Sequence, residues 1–205
     1  IFGDRMKSGA VAKYIDSIDD GTVFAICDIP NDSSSDSLKT QLSVACKRGR
    51  IVRIMRGIYY KPKYNKLLET MIPYNPDDVA YAIARNNGWH IIPGGNSCLN
   101  LTGLSTQVPS RFIYYSDGPY KTYNIGNTNI EMRHRESKDM PDSDGLAILI
   151  HALKTKGNGN LTQDDIRTLS EYVRSHGVAM DPAEYSRTAP WIKKELQRIA
   201  RVQPL

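Results

Sequence analysis

The chain has 205 residues, 40% of them apolar, and a formal charge of +5. That length allows one large or two small folded domains, and that apolar content excludes wholesale disorder. No run of about 18 apolar residues appears, so no membrane span is expected, and a cytoplasmic protein is the expectation. The opening IFGDRMKSG is too polar for a signal peptide. Either the true start is missing, or residues 1–5 are foreign and Met6 is the start. Cys27, Cys46 and Cys98 are odd in number and form no CxxC, which predicts buried reduced thiols rather than a disulfide framework. His90, His134, His151 and His176 stand in no metal-ligand spacing, so neither a metal nor another cofactor is expected.

Residues 7–19 read as a helix, with Val11, Tyr14, Ile15 and Ile18 at helical spacing and Gly21 closing it. TVFAICDI is short and apolar, a strand or one to two helical turns; its length does not decide which. Residues 34–48 read as a second helix. Leu38, Leu42, Ala45 and Cys46 share one face, while Asp36, Thr40, Ser43 and Lys47 share the other with Lys39 at its edge. Ser34 or Ser35 is placed to cap the first turn, and Gly49 is the expected stop. RIVRI and GIYYK then predict two short strands around Met55, Arg56 and Gly57. Pro73 and Pro76 punctuate what reads as a connector.

Charge sharpens this region. Between Lys39 and Lys66 lie nine Lys and Arg residues and no acid, whereas residues 1–36 hold seven acids and three bases. A one-sign surface on a helix running into a hairpin is the footprint of a phosphate binder. The order of helices followed by a hairpin is that of a winged helix-turn-helix.

The second half differs in texture. Residues 77–87 predict a helix through Val79, Ile83 and Ala84. WHII (89–92) is a strand candidate, and PGGN turns into a short helix. Strands at 111–116, 122–125 and 129–135 predict a small antiparallel sheet. Helices are expected over 143–156, 162–176 and 181–201, the last interrupted or restarted by Pro190. The expected class is therefore α+β: a winged helix-turn-helix over 6–66, a linker over 67–76, and an α+β domain with a small antiparallel sheet and several helices over 77–205.

LSVACKRGRIVRIMRGIYYKP resembles the N-terminal winged helix of AbiEi-type antitoxins of type IV toxin–antitoxin systems, through Leu42, Lys47, Arg48, Gly49, Arg50, Arg53, Gly57, Ile58, Tyr59, Tyr60 and Pro62. GGNSCLNLTGLSTQVPSRFIYYSDG is similar to a second segment of that family through Gly103, Leu104, Thr106, Gln107, Val108 and Pro109. Together they cover roughly residues 8–135. The resemblance implies a non-catalytic phage-defence (abortive infection) antitoxin. Such a protein represses its own operon at an inverted repeat of double-stranded promoter DNA, as a monomer or weak dimer with two copies on the site. It also implies neutralisation of a co-encoded nucleotidyltransferase toxin by the C-terminal domain. It leaves helices 143–201 without an assigned role.

On this reading Thr40, Ser43 and Lys47 face base edges and nearby phosphates. Ser34 and Ser35 offer donors to a phosphate at the helix start. Lys39, Arg48, Arg50 and Arg53 clamp phosphates, and Arg56 is the contact at the wing tip. The helix carries no Arg or Asn for bidentate base contacts. A second basic cluster, Arg133, His134, Arg135 and Lys138, either extends a binding surface or is the polar side of a half-exposed strand, and strand patterning favours the latter. Two other classes compete. A protein-interaction module would use the same helix and wing as scaffold. An enzyme is disfavoured because PGGN lacks the GK[ST] ending, no GxSxG occurs, and Asp142, Asp144, Asp164 and Asp165 sit at predicted helix starts, where caps account for them.

Overall fold

A computed structural model describes residues 9–30, 34–107, 109, 111–135 and 141–202. The protein is mixed α+β, with seven α-helices and three small sheets among these residues. It divides between Trp89 and His90 into two compact units. No described helix is long and apolar enough to cross a membrane.

The first unit opens with α1 (Ala10–Ser17), β1 (Val23–Ala25) and one 3-10 turn (Ile26–Asp28). TVFAICDI thus becomes strand and helical turn in succession. Next come α2 (Ser35–Lys47), β2 (Val52–Met55) and β3 (Ile58–Tyr60). The three strands pair antiparallel in the order β1-β3-β2. All six residues of β1 and β3 are buried, so these two strands are covered on both faces, while the edge strand β2 is exposed at Val52 and Arg53. On one side Phe24 and Tyr59 join Val11 and Ile15 of α1 and Leu38, Leu42 and Ala45 of α2 in a core cluster. Burying a side chain as completely as Phe24 stabilises by roughly 2–3 kcal/mol.

The linker expected over 67–76 is instead half of a second hairpin, β4 (Lys63–Asn65) and β5 (Thr70–Ile72). It leads to α3 (Pro76–Asn87). The start and stop of α3 follow from local chemistry: Asn75 accepts from the Asp77 N–H, Pro76 occupies the first turn, and Gly88 takes the left-handed conformation at φ 68°. This helix belongs to the first unit, not to the C-terminal domain where the sequence placed it. It packs on β1, β3 and the 3-10 turn. There Arg85 Nε and a terminal nitrogen donate to the two oxygens of Asp28 at 3.0 and 2.8 Å. An amphipathic helix does not announce in sequence which neighbour receives its apolar face, and the Asp28 acceptor lies 57 residues away.

The second unit contains β6 (Ile91–Gly94), α4 (Asn96–Leu101), β7 (Phe112–Ser116), β8 (Lys121–Ile125) and β9 (Thr128–His134), then α5 (Asp144–Lys156), α6 (Gln163–Ser175) and α7 (Pro190–Ala200). Its sheet order is β6-β7-β9-β8, with β7 and β9 parallel. The sheet is therefore mixed, not antiparallel as expected. The β8–β9 hairpin slots β9 beside β7, and the four residues after β7 pass across the end of β9. His134 Nδ1 lies 2.8 Å from the Gly118 carbonyl there, and the Arg135 N–H donates to Ser116 O at 2.8 Å. Four extended residues span about 13 Å, enough to skip one strand at roughly 4.8 Å per step. Leu146, Leu149, Ile150 and Leu153 of α5 meet Ile166, Leu169 and Tyr172 of α6 and Ile192, Leu196 and Ile199 of α7 in one cluster. Pro190 opens α7 at its first position, which is where proline's fixed φ and missing N–H cost nothing.

Candidate nucleic-acid interface

Helix α2 turns Leu38, Leu42 and Ala45 inward and leaves Ser34, Ser35, Lys39, Thr40, Ser43 and Lys47 exposed. The 3.6-residue period alone enforces that split. Its seat is fixed from α1. The Gln41 side-chain oxygen accepts from the Val11 N–H at 3.3 Å, so a residue of α2 satisfies an otherwise orphaned donor at the start of α1. Ser34 is the N-cap residue, but its hydroxyl makes no cap bond. Its backbone carbonyl instead accepts from Ser37 and Leu38. The expected side-chain cap is therefore not formed.

The predicted contact residues are not electrostatically equal. Lys39 Nζ lies 3.0 Å from Asp36, and the Thr40 hydroxyl donates to the Asp36 carbonyl at 3.0 Å. Arg50 pairs with Asp16 of α1. Lys61 donates to the Ile18 carbonyl at 2.7 Å and lies 3.1 Å from Asp20. Three of the nine positives are thus matched by acids from residues 16–36, so the one-sign run in sequence is partly neutralised in space. Arg53 on the edge strand β2 donates to Met55 O at 3.3 Å. Arg48 is exposed at the end of α2, and Arg56 is exposed in the turn after β2. Among the described residues Lys47, Arg53 and Arg56 have no acid within ion-pair distance. The β2–β3 turn is only two residues, Arg56–Gly57. Gly57, at φ 81°, sits close to Asn86 of α3 and accepts the Ile26 N–H at 2.8 Å through its carbonyl. Arg56 therefore projects from a short, anchored turn rather than a long loop.

On the α3 side Asp28 ties the 3-10 turn together. Burial pushes its carboxyl up, but Arg85 and the Ala25 N–H, at 2.8 Å, outweigh that and hold it below its ordinary value. Nothing in the local sequence signals this clamp.

The second basic cluster is engaged within its own unit. Arg133 donates twice to Glu131 at 3.2 Å. The Tyr120 hydroxyl and then Arg133 hold the Glu131 carboxyl below its usual range. The Arg135 guanidinium lies 5.0 Å over the Tyr115 ring, which stacks on His151 at 4.2 Å. Lys138 lies outside the described residues. Burial, then Lys154 and Arg135, push the His151 imidazole down to about 3, so it is neutral at ordinary pH. Of the four acids expected at helix starts, Asp142 precedes the Ser143 N-cap of α5 and takes no part in it. Asp165 closes a capping box with Thr162 and meets Lys156 at 3.0 Å, and Asp144 and Asp164 lie in first turns. Among the thiols only Cys98 is fully buried, which raises it to about 12; Cys27 is exposed, against expectation, and Cys46 half-buried.

The profile of a family of unknown function, DUF6088, matches residues 10–178. The chain belongs to that family. No curated protein matches it.

Proposed function

We propose that this member of the DUF6088 family is an autoregulating antitoxin. Its first unit would act as a winged helix-turn-helix that binds an inverted repeat in its own promoter, and its second unit would neutralise a nucleotidyltransferase toxin without catalysis of its own. The observation that carries the DNA-binding part is the exposed face of α2. It presents Ser43 and Lys47 as donors, followed at once by the basic strand and turn bearing Arg53 and Arg56. The element order supports the same reading: helix, strand, helical turn, helix, then two strands, with β3 between β1 and β2. In this reading α2 enters the major groove and the β2–β3 turn meets the flanking backbone. Thr40, whose hydroxyl donates its hydrogen bond to the Asp36 backbone carbonyl, offers only acceptor capacity outward; Ser34 and Ser35 are exposed at the positive end of the helix. Lys39 and Arg50 contribute less than their charge suggests, because each faces an acid. The antitoxin role rests on the resemblance of the segments 42–62 and 94–118 to AbiEi-type antitoxins. Co-expression with the adjacent gene tests it: loss of that gene's toxicity in the presence of the chain is expected, and unchanged toxicity refutes it.

A second reading has its own support. The pairing of Lys39, Arg50 and Lys61 with acids suits a protein-interaction module whose helix and hairpin are scaffold. Lys47→Ala and Arg56→Ala decide between the two. For a DNA reader each lowers duplex affinity and the salt slope by about 0.9, whereas for a scaffold neither matters.

A further inference from the structure

Among the described residues the densest apolar exposure lies away from α2. Tyr64, Leu67, Leu68 and Met71, all on the β4–β5 hairpin, are exposed, Leu67 at 94% and Leu68 at 71%. The hairpin is built to hold them out. Tyr64 stands directly opposite Met71 across the strands. The Asn65 side-chain oxygen accepts from the N–H groups of both Leu67 and Leu68, at 2.9 and 3.2 Å, which fixes the tip. The base is anchored where the Tyr60 hydroxyl donates to Ile72 O at 2.6 Å and the Tyr60 ring meets Tyr74 edge-on. Lys63 and Lys66 are exposed beside the tip, and Glu69 is the one acid between residues 61 and 76.

Shape and charge narrow the partner. Four side chains cover far less than the roughly 800 Å² per partner of a stable protein interface, and lysine is depleted at such interfaces. A protruding two-stranded ribbon with an apolar tip and basic flanks matches the DNA minor groove. There, apolar side chains insert between base steps and cations lie along the phosphates. Placement agrees. Met55 pairs with Ile58 at one end of the three-stranded sheet, next to Arg56, while β4 departs beyond Tyr60 at the other end. A helix in the major groove has a minor groove on either side. We propose that the β4–β5 hairpin is a second DNA contact, with Leu67 and Leu68 wedging a base step and Lys63 and Lys66 meeting the adjacent phosphates. This rests on the DNA-binding reading of α2.

The test uses the full chain and the duplex from immediately upstream of its gene, with bending read by circular permutation and unstacking by 2-aminopurine fluorescence. Wild type is expected to bend the duplex and raise the fluorescence. The double variant Leu67→Ser, Leu68→Ser, whose sites are solvent-exposed, is expected to lose both signals and bind about tenfold more weakly at unchanged salt slope. Lys66→Ala is expected to lower the slope by about 0.9. A double variant that binds and bends like wild type overturns the proposal. So does one that loses only self-association or binding to anionic vesicles, which would assign the tip to protein or lipid. Wild type that binds no duplex sinks the parent reading as well. Binding that is sensitive to Lys47→Ala but indifferent to the hairpin sinks the hairpin alone.

Discussion

If α2 binds DNA, Asp16 restrains it, and removing that acid should tighten binding. Asp16 occupies Arg50 from the neighbouring helix; the two side chains are 66% and 37% exposed. An ion pair this exposed contributes at most about 1 kcal/mol to stability, so Asp16→Asn should leave unfolding almost unchanged. Its effect on binding is larger. Lys47, Arg53 and Arg56 face no acid among the described residues. One phosphate each gives a slope of log affinity against log salt of about −2.7. Arg50, once released, adds about 0.9 to the magnitude of that slope, worth about eightfold in affinity near 0.1 M salt. Asp36→Asn releases Lys39 by the same logic. Fluorescence anisotropy across a salt series, with the upstream duplex, reads both quantities. Asp16→Asn with wild-type slope and affinity would refute the assignment of Arg50 to the binding face.

Other outcomes follow from the packing. His151, with its folded-state value near 3 against 6.5 unfolded, binds fewer protons folded than unfolded. Its contribution to stability is complete above about pH 6.5 and falls by up to about 1.4 kcal/mol per pH unit below that, toward pH 3. Urea unfolding at pH 7 and 5 should therefore differ by about 2 kcal/mol in the transition reporting the second unit; His151→Phe, which keeps a ring against Tyr115, should remove most of that difference, and an unchanged difference would contradict the assignment. Asp28→Ala deletes the acceptor for Arg85 and Ala25 and should cost about 2–3 kcal/mol in urea unfolding of the first unit. Because the Asp28 carboxyl is held below 3.8, that stabilisation is present above this value and disappears as pH falls through the lowered folded one. Gln41→Ala should cost about 1 kcal/mol by uncapping α1, while Gln41→Glu, which retains the acceptor, should cost less; equal losses would show that the cap contributes nothing.

The periodic elements were legible in the sequence because burial has a period. Leu38, Leu42 and Ala45 mark the buried face of α2, and Leu146, Leu149, Ile150 and Leu153 mark that of α5, whatever lies opposite. Partners were not legible. The turns at 117–120 and 126–127 suit a meander as well as the observed order, in which β9 sits between β7 and β8. Between Pro62 and Pro73, three-residue strands are too short to show alternation, so the hairpin carrying Leu67 and Leu68 read as connector. The candidate interface divides along the same line. The outward set on α2 follows from helical phase, but its neutralisation at Lys39 and Arg50 depends on side-chain geometry. The Asp16 pair spans 34 residues, and no local pattern encodes a contact at that separation.

The proposed function requires sequence-specific DNA binding by the first unit. Its most direct test is anisotropy of the full chain on the duplex immediately upstream of its gene, against a scrambled duplex of equal length, across a salt series. Tight binding to the native duplex alone, with a slope as steep as about −2.7 or steeper, is the predicted result. Weak and equal binding to both duplexes would contradict it and reduce α2 and the β2–β3 hairpin to scaffold.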